Sequence, residues 1–508
     1  MGANTSILLV YSPVTRPCEP PPGLAALAGT LKQHGIRFRA VDGNIAGLLD
    51  LIHRPLAATD TWTARARKHF PHQLDALTAP ATYRNDARYR QAILELNRIA
   101  AMSAQTCGVD LTLTNYRHPA LSPLRSADLL RAAEMPTQNP FYPWFSTMFD
   151  TLAAENEPSI IGFSLNYLSQ ALCTFAMIGY ARRHLPSTRI LLGGGLITSW
   201  LRRPSWHNPF SGLVDECIDG PGERRLLELS GSGPLNGPSP PDYDNFRHHR
   251  YLSPGFVLPY SASSGCYWNR CSFCPEKAEG TTYSPRGTDT VIADIEHLVH
   301  TTRPVLIHIL DNAISPALLA ALIDNPPGVP WYGFVRISRH LADFDFCRLL
   351  KKSGCVMLKI GLESGDQGVL DALQKGIDCD MADRVLQNLK RAGIATYVYL
   401  LFGTPPETEK EARRTLDFTV RHAAEIGFLN LAIFNMPAYG PDAAEYETHD
   451  FYEGDLGLYR QFSHPRGWHR YRVRQFLEKE FKRHPAVAPI IRRDPPLFTS
   501  NHAPFFCN

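Results

Sequence analysis

Residues 261–280, SASSGCYWNRCSFCPEKAEG, place three cysteines, Cys266, Cys271 and Cys274, within nine residues. A disulfide uses two thiols and a structural zinc site uses four ligands, so a triad asks for another explanation. Thiolates select soft metals, which leaves zinc and iron–sulfur clusters. Zinc would need a fourth thiolate from elsewhere, such as Cys347 or Cys355. Three cysteines on a four-iron cluster would leave one iron open to a small molecule. On the residues alone both readings stand.

The stretch directly follows an apolar run, FVLPYSAS (256–263), the first of six. The others are VLIHILD (305–311), WYGFVRI (331–337), VMLKIGLE (356–363), ATYVYLLFG (395–403) and LNLAIFN (429–435). Helical patterns separate them; in MADRVLQNLKRAG (381–393), Met381, Val385 and Leu389 recur every four residues before a terminating glycine. Six β-α repeats predict a barrel or part of one, with its chemistry at the C-terminal ends of the strands.

A second alternating series lies upstream. SILLVYS (6–12) leads through a Pro-rich turn into the helix LAALAGTLKQHG (24–35), whose Leu24, Leu27, Ala28 and Leu31 share a face and whose Gly35 is the stop. IRFRAVD (36–42) follows as a strand, which makes a parallel β-α-β unit. The rhythm breaks over about 52–155, read as a helical insertion, and returns at SIIGFSL (159–165), RILLGGG (189–195) and DECIDGPGERRLLEL (215–229). The predicted organisation is an α/β domain over 1–229, a Pro/Gly/Ser-rich linker over 230–250, a barrel over 251–440 and an α-rich extension over 441–508 that caps the barrel.

Composition narrows the function classes. The 508 residues are 44% hydrophobic and 20% charged, with a formal net charge of +3. That charge is too small to argue for a nucleic-acid partner, although the tail interleaves aromatic and basic residues. No apolar run reaches the roughly 18 residues of a membrane span, and MGANTSILLVYSP has neither a basic n-region nor a cleavage site. The other eight of the 11 cysteines are scattered, as expected in a reducing cytoplasm.

Cys266, Cys271 and Cys274, with Phe273 before the last, resemble the cluster loop of radical S-adenosylmethionine (SAM) enzymes. ILDNAIS, VMLKIGLESGDQGVLDALQKGI and YLLFGTPPETEKEA resemble the ends of strands two, four and five in that family's barrel. The N-terminal stretches are similar to the Rossmann-like cobalamin-binding domain that precedes the barrel in the B12-dependent branch. The resemblance runs from about residue 6 to 440. Two departures stand out: four residues, not the common three, separate Cys266 from Cys271, and no D-x-H-x-x-G cobalt-ligand signature occurs.

The resemblance implies a partial (β/α)6 barrel and three cofactors: a [4Fe-4S] cluster on the three cysteines, SAM and cobalamin. By the same resemblance, SAM would be held by Phe273, Asp311, Asn312, Arg336, Glu363, Ser364, Phe402 and Gly403. Cobalamin would meet Ser12, Pro13, Val14, Thr15, Ser164, Leu165, Asn166, Tyr167, Gly193, Gly194, Gly195, Thr198, Gly220 and Glu223 at the C-terminal edge of the first sheet, where open α/β sheets bind ligands. His464, His469 or His502 of the tail would face the substrate. The implied activity is methyl transfer to an unactivated carbon of a small-molecule or peptide substrate, with a flavodoxin- or ferredoxin-type electron donor. The alternatives are a radical cyclisation or rearrangement without methyl transfer, and a corrinoid- or metal-sensing binding protein.

Overall fold

The computed structural model describes residues 6–55, 60–203, 206–234, 237–450, 454–495 and 502–507. They divide into two compact units. The first comprises the described residues up to 257 with 454–457, and the second comprises 258–450, 458–495 and 502–507.

In the first unit, strands β1 (Ser6–Tyr11), β2 (Arg37–Asp42), β3 (Ile160–Ser164), β4 (Arg189–Gly193) and β5 (Glu216–Cys217) form a parallel sheet in the order β2-β1-β3-β4-β5. The order reverses at β1, so the connections leaving the ends of β1 and β3 diverge and open a crevice at the C-terminal edge. Helix Pro22–Gln33 starts on a proline whose fixed φ suits the first helical position. It ends with Gly35 at φ +65°, and Leu24, Ala25, Ala28 and Leu31 are buried. Leu27, expected on the same buried face, is half-buried.

The insertion is helical as expected: Thr61–Thr78, Asp86–Ala104, Ser126–Glu134 and Tyr142–Asn156, the first two capped by the side chains of Asp60 and Asn85. The segment read as a linker is docked over much of its length. Pro240 lies against Gly29, the amide of Asp242 donates to Ala25 O at 2.8 Å, and Tyr243 and Phe246 are buried.

In the second unit, β6 (Val257–Tyr260), β7 (Leu306–Ile309), β8 (Trp331–Val335), β9 (Cys355–Glu363), β10 (Ala395–Phe402) and β11 (Phe428–Ile433) lie side by side in sequence order. Helices Thr288–Thr302, Pro316–Asp324, Phe344–Lys352, Cys379–Ala392 and Glu409–Arg421 alternate with them, which is the partial (β/α)6 barrel. Strand β9 is buried along almost its whole length, as a central parallel strand covered on both sides must be; Val356, Leu358, Ile360 and Leu362 make one face apolar, and the other carries Lys359 and Glu363.

The extension carries, besides its helices, the strands Thr448–Asp450 and Tyr459–Phe462, which form a three-stranded antiparallel sheet with Met436–Pro437 just ahead of it. It reaches both ends of the barrel. Residues 464–468 lie at the C-terminal end of β10, where His464 Nε2 donates to Thr404 O at 2.9 Å. Residues 502–507 lie at the other end, with His502 packed 4.2 Å from the Tyr397 ring and 4.4 Å from Phe428 near the starts of β10 and β11. His502 therefore does not face the chemistry end; tilted ring contacts with Tyr397 and Phe428 place it at the barrel floor.

Candidate functional site

The three-cysteine loop hangs from the C-terminal end of β6, and Asp311, just beyond β7, ties down its start. One carboxylate oxygen accepts the amides of Ala262 (2.7 Å) and Ser263 (3.3 Å), and the other accepts the Ser263 hydroxyl (2.6 Å). Burial raises the Asp311 pKa, and these three hydrogen bonds oppose the shift. The expected contact of Asp311 with a SAM ammonium thus competes with a structural duty already filled. Asn312 beside it is exposed.

Further along the loop, Asn269 takes a left-handed conformation (φ 43°), which asparagine tolerates better than most residues. Cys271 is buried; Cys266 and Cys274 are half-buried, and none of the three is in a disulfide. The Arg336 guanidinium at the end of β8 donates to Cys271 Sγ at 3.9 Å and to the Lys375 carbonyl. Lys375 Nζ lies 5.5 Å from the Phe273 ring centre and 2.8 Å from Glu363 Oε1. Glu363, the last residue of β9, also has a left-handed backbone (φ 69°), an uncommon conformation for a non-glycine residue that marks functional sites when it is overdetermined by its neighbours. The site thus joins Phe273, Arg336 and Glu363. It does not bring Ser364 in: that hydroxyl is fully buried between Thr415 and the amide of Asp366. Phe402 is also fully buried, against Phe476 and Phe481, so only backbone at Phe402 and Gly403 meets the barrel rim.

The donor set fits an iron–sulfur cluster. Among the described residues, no three His, Cys, Asp or Glu side chains converge tightly enough to grip a single metal ion. A cluster spreads its thiolates farther apart than one ion does. The alternative fourth ligands for zinc are spoken for: Cys347 and Cys355 are fully buried, with their thiols on the carbonyls of Leu341 and Met357. Sequence reasoning did not single out Trp268 in the loop, nor Lys375 and Gly376, which meet it from a turn 108 positions further on at Gly376.

In the first unit a cavity opens at the crevice beside β1, β3 and β4. Ser164, Gly193, Gly194 and Gly220, read from the sequence as cobalamin contacts, line it. So do Leu9, Leu24, Leu27, Gly162, Ile218, Gly222 and Leu226, which sequence reasoning passed over. Gly194 cannot carry a side chain, because a Cβ would stand 2.5 Å from Leu165 O and φ is +106°. Around the rim, Asn166 Oδ1 accepts the Gly195 amide at 2.8 Å and Thr198 Oγ1 accepts that of Gly220 at 2.9 Å. Ser12–Thr15 do not line the cavity. Two of their carbonyls are fastened instead to the helix that follows β3 (Leu168–His184), Ser12 O by Gln170 (2.7 Å) and Val14 O by Ser169 (2.8 Å). Tyr167 is exposed. An apolar, glycine-walled cavity at this edge suits the flat, weakly polar base of a nucleotide tail, so the residues fit cobalamin; the Leu/Gly lining offers no ligand to cobalt.

Residues 260–419 match the Radical SAM superfamily. The chain is 26% identical over 221 residues to bacteriochlorophyllide d C-12(1)-methyltransferase of Chlorobaculum tepidum, covering 41% of this chain and 47% of the relative. It is 30% identical over 217 residues to tryptophan 2-C-methyltransferase of Streptomyces laurentii, covering 39% and 35%. The match thus spans less than half the length of these relatives. The radical SAM methyltransferase TsrM of Kitasatospora setae, solved with cobalamin and a [4Fe-4S] cluster bound, shares the fold at a TM-score of 0.52 and 17% identity, over 88% of this chain and 78% of that one.

Proposed function

From a chain whose residues 260–419 form a radical SAM domain, we propose a cobalamin-dependent radical SAM methyltransferase acting on an unactivated carbon of a small-molecule or peptide substrate. The observation that carries this reading is the three-thiol loop anchored by Asp311 at the C-terminal strand ends, in a chain that also has the glycine-walled cavity. When bound, a [4Fe-4S] cluster supplies the electron that splits a carbon–sulfur bond of SAM, and cobalamin carries the methyl group.

The chain's own residues bind and orient. Cys266, Cys271 and Cys274 hold three irons and leave the fourth for SAM. Phe273 and the backbone of Phe402 and Gly403 would flank the adenine. Glu363 keeps Lys375 on Oε1 and offers Oε2 to the ribose hydroxyls. Asn312 presents its amide to the polar end of SAM. In the first unit Ser164, Gly193, Gly194 and Gly220 wall in the nucleotide tail of cobalamin. Among the described residues, no helix is long and apolar enough to cross a membrane. The scattered reduced thiols support a cytoplasmic enzyme served by a flavodoxin- or ferredoxin-type donor.

The test is protein purified without oxygen, reconstituted with iron and sulfide and given hydroxocobalamin. Wild type should hold about four irons per chain and a corrinoid band. A Cys266→Ala/Cys271→Ala/Cys274→Ala variant should lose the iron and keep the band. Incubated with SAM, reductant and substrate pools, wild type should form S-adenosylhomocysteine and 5'-deoxyadenosine together. One zinc in place of iron would overturn the cluster, and 5'-deoxyadenosine alone would overturn methyl transfer.

A further inference from the structure

The four-residue stretch between Cys266 and Cys271 gives Trp268 a structural destination. With Asn269 in the left-handed region, the loop turns Trp268 out onto the 374–376 turn, where its indole N–H donates to Gln374 O at 3.1 Å. Gly376 makes room for it: a Cβ there would stand 2.0 Å from the indole ring, and φ is +67°. The other face of the interaction is Arg336. Its guanidinium carbon lies 4.3 Å from the Trp268 ring centre, a cation–π contact, while one nitrogen donates to Lys375 O and the other to Cys271 Sγ.

Arg336 and Cys271 are each only 8% exposed. A guanidinium so buried is costly without a counter-charge. Among the described residues no carboxylate pairs with it: Glu363, the nearby acid, is taken by Lys375. The anion left to balance Arg336 is the Cys271 thiolate and whatever that thiolate binds. Hydrogen bonds to the sulfurs and the net charge around a cluster set its reduction potential, and a cation favours the more negative, reduced form.

We propose that Arg336 is the positioning residue of the cluster, hydrogen-bonding the Cys271 ligand and raising the cluster's reduction potential, and that Trp268, admitted by the longer cysteine spacing, is the clamp that holds it there. This assigns Arg336 to the cluster and not to the SAM carboxylate, and it rests on the three cysteines carrying a cluster.

The experiment is a redox titration of the reconstituted, SAM-free protein followed by electron paramagnetic resonance, with iron content measured on each sample. Arg336→Gln should keep about four irons and shift the one-electron equilibrium roughly tenfold toward the oxidised cluster, about 59 mV more negative. Trp268→Ala should shift it in the same direction with Arg336 still present, and Trp268→Phe should recover most of the wild-type value. An unmoved potential in Arg336→Gln, with SAM binding weakened, would overturn the proposal and return Arg336 to SAM. If Arg336→Gln fails to assemble a cluster, Trp268→Ala decides alone: a wild-type potential there overturns the clamp. Wild type without iron would instead bring down the functional reading on which the proposal stands.

Discussion

The two sites are made by opposite means. The cavity of the first unit exists because side chains are missing: Gly162, Gly193, Gly194, Gly220 and Gly222 leave a volume between apolar walls. The cysteine loop of the second unit exists because side chains are tied down, by Asp311 at its start, Trp268 and Arg336 in its middle and the Lys375–Glu363 pair behind Phe273. A site of the first kind should be abolished by adding atoms and one of the second kind by removing them. The two cofactors should accordingly be separable by mutation.

The most direct test of that contrast is in the cavity. At Gly193 φ lies outside the left-handed region, and a Cβ would meet nothing closer than Ile218 at 3.7 Å, so a side chain is tolerated by the backbone and must enter the open volume. Gly193→Leu should weaken corrinoid binding by at least tenfold, ~1.4 kcal/mol, with iron content unchanged. A corrinoid band that survives Gly193→Leu at wild-type affinity would detach cobalamin from this cavity. Gly194→Ala is the less discriminating variant, because the strained backbone and the clash with Leu165 would damage the unit itself.

The opposite manipulation applies to the loop. Asp311→Ala removes three hydrogen bonds and leaves the amides of Ala262 and Ser263 without their acceptor. That should cost about 2–4 kcal/mol, seen as a lower melting temperature and faster loss of iron to a chelator, with corrinoid binding intact. Asp311→Asn keeps an oxygen for the two amides and should recover most of the loss. If Asp311→Asn retains its iron but loses SAM affinity, Asp311 contacts SAM as well as the loop.

The same contrast explains what could be read from the sequence. Both alternating series were legible because buried parallel strands are short apolar runs and because glycine and proline punctuate them. The thiols were legible because cysteine rarely clusters without a ligand. The cavity walls were not: Leu9, Leu24, Leu27 and Leu226 carry the same apolar signal whether they face a core or a void. Gly162, in the middle of a strand, was the one available hint, since a strand gives up side-chain packing there. The clamp was hidden for another reason. Trp268 and Gly376 lie 108 positions apart, and only the fold brings them together. Ser364 and Phe402 were placed beside SAM by motif position, and the side chains of both turn into the core. Residues 230–250 read as a linker from composition, but composition does not reveal that Tyr243 and Phe246 find a helix to cover.

A smaller effect sharpens the comparison at the rim of the barrel, where a polar group is buried without being fully tied. Glu407 follows the turn after β10 and is fully buried; one carboxylate oxygen accepts the Gly403 amide and the Trp468 indole N–H (2.9 Å), and the other has no hydrogen-bond partner among the described residues. Desolvation pushes its pKa up to about 8, against the pull of those two donors. Between the ordinary glutamate value and about 8 the folded protein therefore keeps a proton that the unfolded chain has released. The stability contributed by that proton is complete below the unfolded value and is lost as pH rises through about 8. Wild type should thus lose stability in urea on going from about pH 5 to about pH 9, and Glu407→Gln, which keeps an acceptor for both donors and carries no charge, should lose clearly less. Equal slopes in the two proteins would mean that Glu407 is ionised in the folded state. The rim would then be held by a charge, in the manner of the cysteine loop.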